Sequence, residues 1–334
     1  MVQPMATNGN GAGPWRFQRG LGDDFIVALR ELARKPSWFR DVLYDSGLII
    51  CIRDNYLNVY FEGQSIFKVN WNQNSKKIRI TTHPKYLVDP ALNKPVAFDG
   101  ETFDVERVDA LAKSYVHGET LRRMKKAAKV FSGVEKQGVH DVFDGNPNVI
   151  DLEIALSELA DRDDKEGPVT QGGAEDKRAK GAKAKRIDIA CFESIDGKVY
   201  LRFWEAKHYL NAELWGPSGT SPPVVDQVSD YRKLVEKYCN DLLRSYRVVA
   251  ENLVEIAKMA GRKDKLSELI VQVAEGEEFF LDTPPNIGVV IFGFSGADKA
   301  SSRHKLMEKN LRDSAGLKLK LAGQAKKIRL GPMS

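Results

Sequence analysis

The run Val199-Tyr-Leu-Arg-Phe-Trp-Glu-Ala-Lys207 sets narrow terms for the whole chain. Side chains on a strand alternate between faces. Val199, Leu201, Phe203, Glu205 and Lys207 therefore share one face. Three large apolar groups point into a core, and the same face then presents a carboxylate and an ammonium. Burying such charges unpaired costs on the order of several kcal/mol. A strand with this ending belongs in a sheet interior, and it delivers its two charged groups to a site. The run Ile287-Gly-Val-Val-Ile-Phe-Gly-Phe294 adds a second constraint. It is almost wholly apolar, as expected of a strand covered on both faces in the middle of an α/β sheet.

The rest of the chain is organised around these two strands. Residues 1–19, rich in Gly, Asn and Ala at their start, read as a disordered lead-in. Residues 20–100 read as an N-terminal α+β segment. It has helical spacing at Phe25, Leu29 and Leu32, a break at Pro36, and a second piece carrying Trp38, Phe39 and Leu43. Four β-type runs follow, Leu48–Ile52, Leu57–Phe61, Ser65–Val69 and Lys77–Thr81, separated by turn signals as in an antiparallel meander. Residues 104–131 read as a long helix with an apolar stripe through Val108, Leu111, Tyr115, Leu121 and Met124. Its other face carries Arg122, Arg123, Lys125, Lys126 and Lys129, either a solvated face or a phosphate contact.

From Val149 to Leu156 the residues Ile150, Leu152, Ile154 and Leu156 alternate, which favours a strand with Asp151 and Glu153 on its opposite face. A helix through Leu152, Leu156 and Leu159 is the alternative. Residues 160–185 lack periodicity and read as a flexible inserted loop with a basic end. Arg186 to Phe192 is the next strand, and Asp196-Gly197 marks a tight hairpin into Val199–Lys207. Helices are expected over about 224–240 and 242–259. Residues 297–334 form a basic C-terminal segment. Between 299 and 329 it holds ten Lys or Arg against Glu308 and Asp313, as a flexible or phosphate-facing surface would.

The 334 residues carry a net charge of only +5, so bulk charge does not name a partner. Cys51, Cys191 and Cys239 are widely spaced, with no metal-ligand pattern. Together with the lack of an apolar leader or membrane-length segment, they point to a cytoplasmic protein with no membrane partner.

The chemistry gathers on two strands. Asp188 and the triplet Glu205-Ala206-Lys207 lie on neighbours joined by the hairpin, about 5 Å apart. Two carboxylates so placed repel unless a cation joins them, and hard oxygen ligands suit Mg²⁺ or Mn²⁺. Lys207 points the same way. It can orient a metal-bound water and stabilise charge on a phosphoryl oxygen.

This pattern resembles the PD-(D/E)xK nuclease superfamily, in which an acid on one strand is followed by Glu/Asp-x-Lys on the next. Gln227-Val-Ser-Asp-Tyr231 on the following helix is similar to the Gln-x-x-x-Tyr motif of its RecB-like branch. The resemblance spans roughly residues 148–240, plus the strand at 287–294. It implies a restriction-endonuclease-like core, a mixed central sheet flanked by helices, over residues 101–296. It further implies a Mg²⁺-dependent nuclease hydrolysing phosphodiester bonds in DNA. Asp188 and Glu205 would hold the metal, with the Ala206 carbonyl as a third ligand. Lys207 would position the water, Glu153 would assist, and Gln227 and Tyr231 would shape the site. Glu119 is the alternative auxiliary acid. His117 and His140 both stand as the branch's upstream histidine, whereas His208 falls on the opposite face from Lys207. Arg186 stands where many RecB-like members have Gly. Trp204 and Trp215 are candidates for base stacking, with core packing the stronger reading of Trp204. A non-catalytic nucleic-acid-binding or assembly protein on the same fold is a second expectation, and an RNA nuclease a third.

Overall fold

The computed structural model describes residues 17–87, 95–104, 114–156, 185–216 and 220–331. Two sheets share a continuous hydrophobic core. Helices α1 (Asp23–Arg34) and α2 (Trp38–Tyr44) lead into strands β1 (Ile49–Ile52), β2 (Tyr56–Phe61), β3 (Gln64–Asn72), β4 (Lys77–Thr82) and β5 (Val96–Phe98). These five form an antiparallel meander in sequence order. Ser37 caps α2 by accepting from the Arg40 N–H, so the break at Pro36 also starts the next helix.

Helix α3 (Glu119–Val130) packs on this first sheet, against β2 and β3. It is shorter than the helix expected over 104–131. Gly118, at φ +70°, turns the chain just ahead of it, and Tyr115 lies before the helix with its hydroxyl donating to Asp41. Residues 105–113 lie outside the described residues.

Helix α4 (Val134–Asp144) opens the second unit. It is followed by β6 (Val149–Leu156), β7 (Lys185–Ile195), β8 (Lys198–His208), α5 (Pro223–Lys237), α6 (Cys239–Met259), α7 (Glu268–Ala274), β9 (Phe279–Phe280) and β10 (Ile287–Phe292). Then come α8 (Gly296–Ala300), α9 (Ser302–Lys309) and β11 (Leu319–Ala322). The sheet order is β11-β10-β8-β7-β6, with β9 also beside β8. The β6–β7 and β7–β8 pairs are antiparallel, whereas β8–β10 and β10–β11 are parallel. The molecule is thus a mixed α/β protein with helices on its sheets.

The alternation along β8 sorts the two faces. Val199, Leu201 and Phe203 enter the larger core with residues of α5 and α6. Trp204 and Ala206 face a smaller cluster with Val139 and Val142 of α4 and the C-terminal Ile328 and Leu330. All six residues of β10 are buried, as its apolar run requires.

Three expectations need correction. Within the stretch read as a disordered lead-in, Phe17 and Arg19 are buried, and Arg19 donates its backbone N–H to Ser245 of α6. Residues 1–16 lie outside the described residues, as do 157–184 of the loop expected over 160–185. The basic C-terminal segment is part of the fold. Leu317 and Leu319 enter the core and β11 extends the central sheet, although Lys318 and Lys320 hide that alternation in a basic stretch. Finally, β6 does not alternate strictly. Its register shifts between Val149 and Asp151, and Glu153 adopts φ +54°. Ile150 and Ile154 therefore face the larger core while Leu152 faces the smaller one. Asp151, expected on the face opposite Ile150 and Leu152, is 1% exposed.

Among the described residues no helix is long and apolar enough to cross a membrane.

Candidate active site

The site lies at the carboxyl end of β8. The last β7–β8 pair toward that end is Ile189↔Trp204, so Asp188 and Glu205 are the next positions on the two strands. Asp188 Oδ2 accepts from the Ala206 N–H at 2.7 Å, which locks its carboxylate across the strand pair. On the other side of β8 stand Val289 and Ile291 of β10, paired with Glu205 and Lys207. The charged pair thus has an apolar wall on one side and Asp188 on the other.

Lys207 Nζ is 2.7 Å from Glu205 Oε1 and 2.5 Å from Glu213 Oε2. Burial opposes the lysine's charge, yet Glu205 and then Glu213 hold its pKa above the usual lysine range. Glu205 is 2% exposed. Burial pushes its carboxyl up to about 7 against the pull of Lys207, with Glu135 and Glu213 adding repulsion. Desolvation, then the charges of Glu205 and Glu153, push Asp188 well above the usual carboxylate range.

The helix motif meets the same place. On α5, Val224, Val228, Tyr231 and Leu234 form the buried stripe, which turns Gln227 and Tyr231 toward the strand ends. Gln227 donates from Nε2 to the Tyr231 hydroxyl at 2.8 Å, and that hydroxyl donates to the Arg186 carbonyl of β7. Burial and the charges of Glu205 and Asp188 hold the phenol's pKa above its usual range. Among the described residues, Glu205 Oε2 and Gln227 Oε1 are buried with no hydrogen-bond partner.

Of the two candidate auxiliary acids, the fold brings Glu153 near Asp188. It lies on β6 between the pairs Leu152↔Ile189 and Ile154↔Ile187, alongside Asp188. Its side chain is drawn to Lys136 at 3.6 Å and Arg186 at 4.0 Å. Left-handed backbone at a non-glycine strand residue is strained and clusters at functional sites. Glu119 is elsewhere, half-buried on α3 and paired with Arg122 and Arg123.

His140 accepts from the Glu62 N–H and stacks edge-on to Phe61, and His117 pairs with Asp41 at 3.5 Å. His208 turns away from Lys207, its ring edge-on to Phe292. Gly293, at φ +88°, passes against that ring, where a Cβ would sit 2.1 Å from Nε2. Trp204 is wholly buried. Trp215 bonds the Tyr209 carbonyl and carries Arg303 over its ring at 4.0 Å.

Two acids escaped the sequence reading. Glu135, in the first turn of α4, accepts from the His208 N–H at 3.0 Å and from Asn211 Nδ2 at 2.7 Å. Glu213 comes from the loop after β8. Neither has a spacing to the Glu-x-Lys triplet that marks it, although Asn211, two residues before Glu213, is a recognisable turn cap.

Among the described residues, no three His, Cys, Asp or Glu side chains stand together as a ready metal cage. What the site offers is a smaller set. Burial and then the charge of Glu205 oppose the ionisation of Asp188, and one Glu205 oxygen is buried without a donor. A divalent cation relieves both conditions. Mg²⁺ commonly takes only one or two carboxylates and keeps several waters. Asp188 and Glu205 fit that requirement.

Neither family models, curated proteins nor solved structures match this chain. The likeness to PD-(D/E)xK nucleases rests on the residues named above.

The Glu205 shift has a direct consequence for stability. A carboxyl whose folded pKa is raised contributes stability at low pH, and that stability is lost as pH rises through the folded value. In metal-free protein the window runs from the ordinary 4.5 to about 7. Glu205→Gln removes this contribution. Relative to wild type, the variant is expected to gain about 3 kcal/mol across the window. Urea titrations at a series of pH values check this, and a difference that stays flat with pH contradicts it.

Proposed function

We propose that this chain is a metal-dependent nuclease that hydrolyses phosphodiester bonds in DNA. The observation that carries the reading is Glu205. It is a buried carboxylate with one oxygen on Lys207 and the other without a partner, next to Asp188 on the adjoining strand. Asp188 and Glu205 would hold Mg²⁺ or Mn²⁺. That ion, when bound, lowers the pKa of a coordinated water and polarises a phosphoryl oxygen.

The chain's own residues do the rest. Lys207 presents its ammonium to the attacking water and offsets negative charge growing on the phosphoryl group. Tyr231 and Gln227 hold the end of β7 in place through the Arg186 carbonyl, and so keep Asp188 in register with Glu205. Glu153 adds negative charge on the β6 side.

Phosphate contact falls to the C-terminal segment more than to α3. On α3, Arg122 and Arg123 are matched by Glu119, Lys125 by Asp45, and Lys129 by Glu62. Arg303, Lys305, Lys309, Lys326, Lys327 and Arg329 are exposed. DNA affinity from these residues would weaken steeply with salt.

The test is cleavage of linear, circular and single-stranded DNA, with RNA alongside, in Mg²⁺, Mn²⁺ and EDTA. Metal-dependent cutting of DNA is the expected result. Cutting confined to RNA moves the substrate class, and no cutting of any substrate with either metal removes the enzymatic reading. A non-catalytic nucleic-acid-binding role is the second reading. One observation favours it: Lys207 is engaged by two carboxylates at once. Its mark would be binding without cleavage.

A further inference from the structure

We propose that the Glu213 carboxylate occupies the position at which Lys207 receives the substrate phosphate, so that Glu213 is a built-in competitor for that subsite. This rests on the nuclease reading of the site and adds a residue to it.

The two partners of Lys207 differ in kind. The Glu205 side chain is 3% exposed and comes from the same strand, so it is a fixed neighbour. The Glu213 side chain is 47% exposed and reaches Lys207 from the solvent side. Lys207 itself is 5% exposed at its side chain, so the open approach to its ammonium is the one that Glu213 holds. A carboxylate and a phosphate non-bridging oxygen ask the same of an ammonium: a short, charge-assisted hydrogen bond. Both cannot take one direction.

The loop is built to hold the backbone and free the side chain. The Glu213 N–H is held by Asn211 Oδ1 at 2.9 Å, and Asn211 is held in turn by Glu135. Leu214 is 1% exposed, and the Trp215 ring packs edge-on to Tyr209. Among the described residues the Glu213 carboxylate meets only Lys207, and it can swing into water without unpacking any of these anchors. Arriving phosphate would exchange one charge-assisted bond to the buried Lys207 for another, so the net bias from Glu213 would be small, on the order of two- to fivefold.

The experiment compares full-length wild type, Glu213→Gln, Lys207→Ala and the double variant. Binding of a fluorescent single-stranded oligonucleotide is measured by anisotropy without divalent metal, and steady-state cleavage is measured with Mg²⁺. The Gln side chain keeps the shape and loses the charge. Glu213→Gln is expected to bind about two- to fivefold more tightly than wild type. Its KM should fall by a similar factor while kcat holds, and the gain in affinity should vanish in the Lys207→Ala background. Binding no tighter than wild type, including no binding by either protein, overturns the proposal. So does an equal gain in the Lys207→Ala background, which would show general charge repulsion. A fall in kcat with unchanged KM would place Glu213 among the groups that aid the reaction and also overturns it. If wild type binds the oligonucleotide but never cleaves, the nuclease reading fails while the competition for Lys207 is still decided by the binding arm.

Discussion

Asp151→Ala is expected to destabilise the protein by about 3–5 kcal/mol. Asp151 and Arg53 are each 1% exposed. Arg53 Nη1 meets Asp151 Oδ1 at 2.5 Å, and its Nη2 bonds the Leu152 carbonyl at 2.6 Å. Tyr246 donates its hydroxyl to Asp151 Oδ2 at 3.1 Å, the Leu152 N–H donates to Oδ1, and Arg19 approaches Oδ2 at 3.9 Å. Removal of the carboxylate leaves a buried guanidinium that cannot shed its proton, with an orphaned phenol beside it. These groups come from the N-terminal arm, the first sheet, the second sheet and α6. The loss should therefore lower the stability of both sheets in a single transition. Urea unfolding of the variant checks the size, and a change below 1 kcal/mol refutes it. Arg53→Met in the same background should recover part of the loss, because the unpaired charge is then gone.

That cluster also shows what a sequence hides. The pair β7–β8 was legible because alternation and the Asp196-Gly197 turn fix the register within one hairpin, and Asp188 and Glu205 follow from it. The stripe on α5 placed Gln227 and Tyr231 for the same reason: their spacing is local. Asp151 does lie opposite Leu152, but its burial beside Ile150 was hidden because a bulge and one left-handed residue break the period of β6, and no local pattern announces either. Glu135 reaches the end of β8 through the packing of α4, and Glu213 reaches Lys207 through the path of a loop. Their positions are consequences of the tertiary fold, with no spacing of their own. Leu317, Leu319 and Leu321 did carry a strand's period, but the lysines between them gave the segment the charge of a surface tail. On an edge strand those lysines are expected, since they discourage pairing with another chain.

Lys207→Ala is expected to lower kcat for phosphodiester cleavage by about 10²–10³-fold, the usual cost of losing a positioned donor at developing charge. Loss of the fold would mimic such a result, so the fate of Glu205 matters. Without Lys207 its largest stabilising charge is gone, and a carboxyl already at about 7 would keep its proton at neutral pH. A neutral Glu205 is tolerable in that pocket, and the variant should remain folded. It would lose metal affinity as well, since a protonated carboxyl is a poor ligand. The two losses separate with pH. Metal binding should recover as pH rises and Glu205 ionises, whereas the missing ammonium cannot be restored. Lys207→Arg sharpens the test. It keeps the charge, but a planar fork cannot take the place of a compact ammonium between Glu205 and an incoming phosphate. It should bind metal near the wild-type level and still cleave slowly. Equal cleavage by wild type and Lys207→Ala would reduce Lys207 to the buried half of a salt bridge, and the acids around it to structural partners.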